Sequence, residues 1–367
     1  MTLKREIKDA YIEKGAPIYV KTHSNAVYVN DNETETLTQR LDNVKNSITE
    51  HTTQLDNVKD SIKEHTTQLN DIENGLTLNK NNFYSNIHLY QEVNIEKTIK
   101  NLKKAGIKGI YITLHIDGDN NCSLTEDLNR LKELQSCAIE NGLKADVLKF
   151  HNTIGGLCTN ETIQNKYLQK IQSLIPQFTG INRIILLNER EDIIQNNLTF
   201  ALNCVNTIKG LGYKVGVTIT NPYQIQLCLE KSSSFFNAID FLGSNNYPTI
   251  TAIPEKVEFN DSLYAWEGVE KYLLNIKSKI KCPILLTEVG IIPYEEFLSA
   301  PWAWDSSKVS SQKNEKIFKY LTYGLFENKN LMTKVFDEIA FWYLENSWYT
   351  DDETFMYISK YAKRGEN

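Results

Sequence analysis

Leu186-Leu187-Asn188-Glu189 and Leu286-Thr287-Glu288-Val289-Gly290 decide how this chain reads. Each closes a short apolar run with a glutamate. A run of that kind is the pattern of a parallel strand buried on both faces, with its C-terminal end at a polar rim. Glu189 and Glu288 lie 99 positions apart, room for roughly three intervening strand–helix units at barrel spacing.

Outward from these peptides, strand-like runs alternate with amphipathic helical stretches from position 81 onward. The predicted strands are Phe83–Leu89, Gly109–Ile116, Lys144–Phe150, Arg183–Leu187, Lys214–Ile219, Phe241–Asn245, Ile284–Thr287 and Ile339–Tyr343. The predicted helices are Ile95–Lys104, Leu124–Asn141, Ile163–Ile175, Leu198–Leu211, Gln224–Ala238, Ala265–Ile280, Gln312–Glu327 and Asp352–Ala362. Gly106, Gly142 and Gly212 stand just past helical runs, where a left-handed cap is wanted. Eight such units predict the α/β class and a (β/α)8 TIM barrel over residues 79–367. A doubly wound sheet would want a glycine-rich phosphate turn after the first strand. Leu89-Tyr90-Gln91-Glu92 has no glycine.

In such a barrel, chemistry gathers at the C-terminal ends of the strands. The residues expected there are His88, His115, His151, Asn188 with Glu189, Asn221, Asn246 with Tyr247, Glu288, and Trp342. Amides, acids and flat aromatic faces on one rim suit a carbohydrate. Two carboxyl groups on different strands are the minimal apparatus for cleaving a glycosidic bond. Each histidine reads equally as a substrate contact or a hydrogen-bonded core residue, with His115 least favoured because its side is read as facing outward. The three histidines have the residue type of a metal triad and nothing further that asks for one, so no metal and no cofactor is expected. Trp302 and Trp304, in the long loop after the seventh strand, either build a distal subsite or pin the loop.

With Asn188-Glu189 after strand four and Glu288 after strand seven, the head resembles the clan A glycoside hydrolases. The phrases Asn246-Tyr247-Pro248, Thr287-Glu288-Val289-Gly290 and Phe341-Trp342-Tyr343 look most like the endo-galactanase and endo-mannanase branches. One position departs: many members carry proline after the first glutamate, where this chain has Arg190-Glu191-Asp192. The resemblance implies that Glu189 is the general acid/base and Glu288 the nucleophile of a retaining mechanism, with carboxyl groups about 5–5.5 Å apart. It implies that Asn188 bonds the sugar 2-substituent, Tyr247 holds Glu288, and Trp342 floors the subsite. Asn246, His88 and His151 complete the expected substrate contacts. Glu191 and Asp192 read instead as acids favoured at a helix start.

Upstream stands a different pattern. Residues 41–54, LDNVKNSITEHTTQ, repeat as 55–68, LDNVKDSIKEHTTQ, with only Asn46/Asp60 and Thr49/Lys63 differing. Fourteen residues are two heptads, so the period itself predicts a coiled coil over residues 34–78. Leu41, Ile48, Leu55, Ile62, Leu69 and Leu76 take position a; Leu37, Val44, His51, Val58, His65 and Ile72 take position d. β-Branched residues at d argue against a parallel dimer and for a trimer, with His51 and His65 as polar layers that fix register. Before the rod, Pro17–Lys21 and Ala26–Val29 read as two short strands of a tip spanning residues 1–33.

A tip, a rod and a large head in this order resemble bacteriophage tail-fibre and baseplate proteins. That resemblance implies a virion component, made in the host cytoplasm, in which residues 1–33 meet other tail or baseplate proteins. The chain then trimerises with itself through residues 37–76, and the head binds and hydrolyses a bacterial surface glycan. A head that only binds its glycan is the alternative.

Composition fits a soluble protein. Charged residues are 23%, hydrophobic residues 41% and net charge −6, so no basic surface invites nucleic acid. Met1–Asp9 has no apolar core, so neither a secretory signal nor membrane insertion is expected. The six cysteines form no CxxC pair, which favours reduced thiols over bridges or zinc.

Overall fold

The structure, a computed structural model, describes residues 18–22, 25–29, 39, 41–56, 58–59, 82–89, 93–117, 121–250, 258–303, 309–342, 344–345, 348–350 and 352–362. The chain divides into two units, residues 1–71 and 72–367.

In the first unit, β1 (Ile18–Thr22) pairs antiparallel with β2 (Asn25–Val29), Ile18 facing Val29 and Thr22 facing Asn25. Residues 41–56 and 58–59 are helical and exposed. Leu41, Val44, Ile48, Leu55 and Val58 are each more than half exposed. Their heptad spacing puts them on one helix face, as an exposed apolar stripe. Ile62, His65, Leu69, Ile72 and Leu76 lie outside the described residues.

The second unit is a closed barrel of eight parallel strands in the order β10-β3-β4-β5-β6-β7-β8-β9. They are β3 (Phe83–Ile87), β4 (Gly109–Ile116), β5 (Lys144–Asn152), β6 (Arg183–Asn188), β7 (Lys214–Ile219), β8 (Phe241–Asn245), β9 (Ile284–Val289) and β10 (Phe336–Phe341). Each pair is joined by a helical crossover: α1 (Ile95–Lys104), α2 (Leu128–Glu140), α3 (Glu161–Leu174), α4 (Glu191–Asn196) with α5 (Leu198–Lys209), α6 (Pro222–Ser232), α7 (Phe259–Lys277) and α8 (Ile317–Glu327). The closing helix is α9 (Asp352–Ala362). Side-chain caps start several of them. Asn94, Asp127 and Asn160 accept from backbone N–H groups of the first turns of α1, α2 and α3, which supplies orphan donors with partners.

Two apolar layers hold the barrel. The outer one lies between strands and helices and contains residues such as Ile99, Leu131, Ile171, Val205 and Trp266. The inner one takes Tyr84, Tyr111, Val147, Ile185, Phe241, Leu285 and Ala340 from seven of the eight strands. The eighth, β7, supplies Gly216, which pairs with both Ile185 and Phe241. A Cβ on Gly216 would overlap the Phe241 ring, so the missing side chain is the space that ring fills. At the N-terminal mouth the Arg183 Nη1 donates to both Glu338 oxygens at 3.0 and 2.9 Å, and the Tyr111 hydroxyl joins them. These buried charges are therefore paired, and they sit at the end of the barrel opposite the rim glutamates.

All six cysteines are free thiols. No helix among the described residues is long and apolar enough to cross a membrane.

Candidate active site

The two strands that carry the glutamates end irregularly. Along β5–β6, Lys149 pairs with Ile185 and His151 with Asn188, so β6 takes one residue more than β5. Leu187 and Glu189 sit at φ +49° and +56°, the left-handed region that costs a non-glycine residue about 1–2 kcal/mol. Along β8–β9, Ser244 pairs with Leu286 and Asn245 with Glu288, which puts the extra residue in β9. A bulge re-aims the side chains that follow it. The turn after β6 is pinned by the Glu189 N–H, which donates to the Thr218 carbonyl at 2.9 Å.

Glu288 is buried within a cradle of three donors. Its Oε1 accepts from Asn86 Nδ2 at 3.0 Å and pairs with the Lys149 ammonium; its Oε2 accepts from the Tyr247 hydroxyl at 2.6 Å. Lys149 is fully buried, so the two charges offset one another out of water. Asn86 is itself oriented by the Thr113 hydroxyl, which donates to its Oδ1.

Glu189 has a poorer environment for charge. Among the described residues one neutral side-chain donor reaches it, Asn245 Nδ2 at 2.8 Å from Oε1. Burial, and next the charge of Glu288, push its carboxyl up to about 7. The Asn245 amide is fixed from behind: the Thr287 hydroxyl donates to Asn245 Oδ1 at 2.8 Å, and the Thr218 hydroxyl donates to Thr287 Oγ1 at 3.2 Å. Gly243 makes room for that meeting, since a Cβ there would overlap both threonines.

A row of rings walls the rim. Centroids are 5.5 Å apart from Tyr247 to Trp342, 5.3 Å from Trp342 to His88, 5.1 Å from His88 to His115 and 5.0 Å from His115 to His151. Burial, and next His115, hold His88 well below its ordinary pKa and push His151 down to about 4, so both are neutral at pH 7. The Asn188 amide donates to His151 Nδ1 at 2.8 Å, which leaves the imidazole proton on Nε2. Asn188 Oδ1 is buried and meets no donor among the described residues. His115 does not face outward: on the same strand face as Tyr111 and Thr113, it stands between the other two rings, held by Glu126 through both its Nδ1 and its backbone N–H. No cluster of metal-ligating residues occurs among the described residues.

The remaining residues fall nearby with other partners. Asn246 Nδ2 donates to Ser244 Oγ at 3.0 Å and its backbone N–H to the Glu288 carbonyl at 3.0 Å, so of the two adjacent asparagines it is Asn245 whose side chain reaches a glutamate carboxyl. Glu191 and Asp192 open α4, and Glu191 Oε1 accepts from the Thr220 N–H and hydroxyl, both at 2.5 Å. Where many of the resembled hydrolases carry proline, Arg190 grips Asp192 with two bonds of 2.9 Å and donates to Asn152 at 2.6 Å, which ties the loop to the end of β5. Trp302 is exposed, and Trp304 and Tyr343 lie outside the described residues.

The sequence reading names neither Asn86 nor Glu345, and it sets Lys149 and Asn245 at strand ends without a role. Glu345 Oε1 accepts from the His88 N–H at 2.9 Å, and burial pushes its carboxyl up to about 7. Lys149 had a legible signal, a lone cation within the apolar run Val147-Leu148-Lys149-Phe150. A lysine buried there needs an acid as partner.

One carboxyl that keeps its proton near pH 7, beside a second ringed by a cation and two donors, can transfer a proton at one point and oppose developing positive charge at another. No protein-family model matches the sequence, and no curated protein matches it. Solved structures with a similar fold include a GH113 beta-1,4-mannanase, with TM-score 0.55 and 11% identity over 77% of this chain and 99% of that one. They also include an exo-beta-1,4-mannosidase from Opitutaceae bacterium strain TAV5, with TM-score 0.51 and 14% identity over 77% of this chain and 59% of that one. At such identities the likeness is one of fold: residues 82–362 form a TIM barrel.

Proposed function

We propose that the head is a retaining glycoside hydrolase acting on a polysaccharide, with Glu189 as acid/base and Glu288 as nucleophile. The contrast between the two carboxyl environments supports this reading most. In the first step Glu189 donates its proton to the glycosidic oxygen as the C1–O bond breaks, and Glu288 Oε bonds C1 to form a glycosyl ester. In the second, Glu189, now a carboxylate, takes a proton from water as that water attacks C1, and Glu288 leaves. Asn86, Lys149 and Tyr247 orient Glu288. Asn188 Oδ1 accepts from the sugar 2-hydroxyl, and Trp342, His88 and His151 line the subsite.

The proposal extends to the first unit. The heptad repeat and its exposed apolar stripe support a parallel trimeric coiled coil, and the hairpin before it supports an attachment tip, as in a phage tail fibre or baseplate protein. Three heads on one rod would multiply weak contacts with a bacterial surface glycan through effective concentration.

The test is release of reducing ends from β-1,4-mannan, β-1,4-galactan and purified bacterial cell-wall and capsular glycans. Release by the wild type, lowered by about 10²–10⁴ in Glu189→Gln and at least as far in Glu288→Gln, is the expected result. No release from any of them, with cell binding equal in all three proteins, would replace the hydrolase by a binding head.

A further inference from the structure

Beside the carboxylate rim, a groove of about 320 Å³ opens between the start of α6 and the flank of α7. None of the described residues that line it is charged. Its walls leave the rim directly. Pro248 on one side follows Tyr247, which bonds Glu288, and on the other Pro222 and Tyr223 come just after Thr220, which holds Glu191.

Tyr223 and Tyr272 line the groove, yet they are 56% and 44% exposed. Tyrosine left so open is a flat apolar face with a hydroxyl handle. Between Tyr264, which is 71% exposed, and Tyr272 lies Gly268, the three forming one i, i+4, i+8 row along α7. Glycine inside a helix costs about 1 kcal/mol relative to alanine. A Cβ at Gly268 would meet nothing within 4 Å, so no neighbour requires the glycine. Its effect is a notch between two aromatic faces.

We infer that this groove is a second glycan-binding surface, which holds an extended neutral polysaccharide where the chain leaves the carboxylate cleft. The C–H face of a pyranose would lie on a tyrosine ring while its ring edge enters the notch. A lining without charge among the described residues suits a neutral polymer, and the groove runs on from the rim as an extended chain requires. This inference rests on the glycan reading of the rim.

The test uses the full chain carrying Glu288→Gln, run through native gels that contain β-1,4-mannan, β-1,4-galactan or a purified neutral cell-wall polysaccharide. Tyr223→Ala/Tyr272→Ala and Gly268→Arg are compared with Gly268→Ala, which leaves the notch open. Wild type and groove variants with Glu288 intact are assayed in parallel on tetrasaccharides of the same polymers. The expected result is retardation by at least one polymer, about tenfold weaker with Gly268→Arg and with the double variant, unchanged with Gly268→Ala, and no change in tetrasaccharide cleavage. Equal retardation of all variants, with cleavage intact, overturns the groove and leaves the hydrolase standing. Neither cleavage nor retardation with any of the polymers overturns the hydrolase reading and the groove with it.

Discussion

Glu189 keeps its proton because burial and the neighbouring charge of Glu288 outweigh the single amide that reaches it. Its folded-state pKa is raised, so the acid form is present below pH 7 and lost as pH rises through about 7. The kcat/KM of the wild type on a cleaved glycan should therefore fall above about pH 7, and a rate flat to pH 9 would show that Glu189 is not the acid. Lys149 stands behind Glu288. Lys149→Met leaves a carboxylate buried without its cation, which should cost about 3–5 kcal/mol in urea unfolding at pH 7. Adding Glu288→Gln should restore most of that loss, and a cost under about 1 kcal/mol for the single change would mean the pair is solvated. His115 shares the inward face of β4 with Tyr111 and Thr113, as period-two alternation requires, and Glu126, eleven residues on, fixes its ring there.

At the scale of elements, the regular strands were readable and the functional irregularities were not. β4, β7, β8, α1 and α9 begin and end where the hydrophobic pattern places them. β10 starts three residues before its predicted start, because Asp337 and Glu338 read as polar loop while Glu338 is buried against Arg183 inside the barrel. The six-residue α4 is too short to show a period. The two bulges that aim the glutamates arise from pairing with neighbouring strands and leave no mark in β6 or β9 alone. Gly290 does leave one, in Thr287-Glu288-Val289-Gly290. A Cβ on it would overlap the Trp342 carbonyl, whose own N–H donates to Val289 at 2.9 Å. Gly290→Ala should shift Trp342, raise KM at least fivefold and leave far-ultraviolet circular dichroism unchanged, an effect of about 1 kcal/mol. An unchanged KM would remove Trp342 from the subsite.

At the scale of the whole molecule, the exposed stripe of the first unit asks for a partner. Leucine, isoleucine and valine at successive a and d positions would each gain on the order of 1.5–3 kcal/mol by full burial. Sedimentation equilibrium of the full chain should give a trimer, and Ile48→Asp/Leu55→Asp should give a monomer with the same rate per head on a tetrasaccharide. A monomeric wild type at micromolar concentration would dismiss the coiled coil.

The sequence by itself determined the barrel, its strand count and the rim positions of Glu189 and Glu288, because burial on both faces and turn chemistry are local in the chain. It also determined the heptad period of residues 41–68. Only the tertiary structure decided which polar side chains meet. Asn86, Lys149 and Asn245 come from three other strands, and closing the barrel β10 to β3 is what brings them onto the two glutamates. The proton held on Glu189 near pH 7 follows from that closure, since burial and the charge of a residue 99 positions away set it, and neither exists in the unfolded chain.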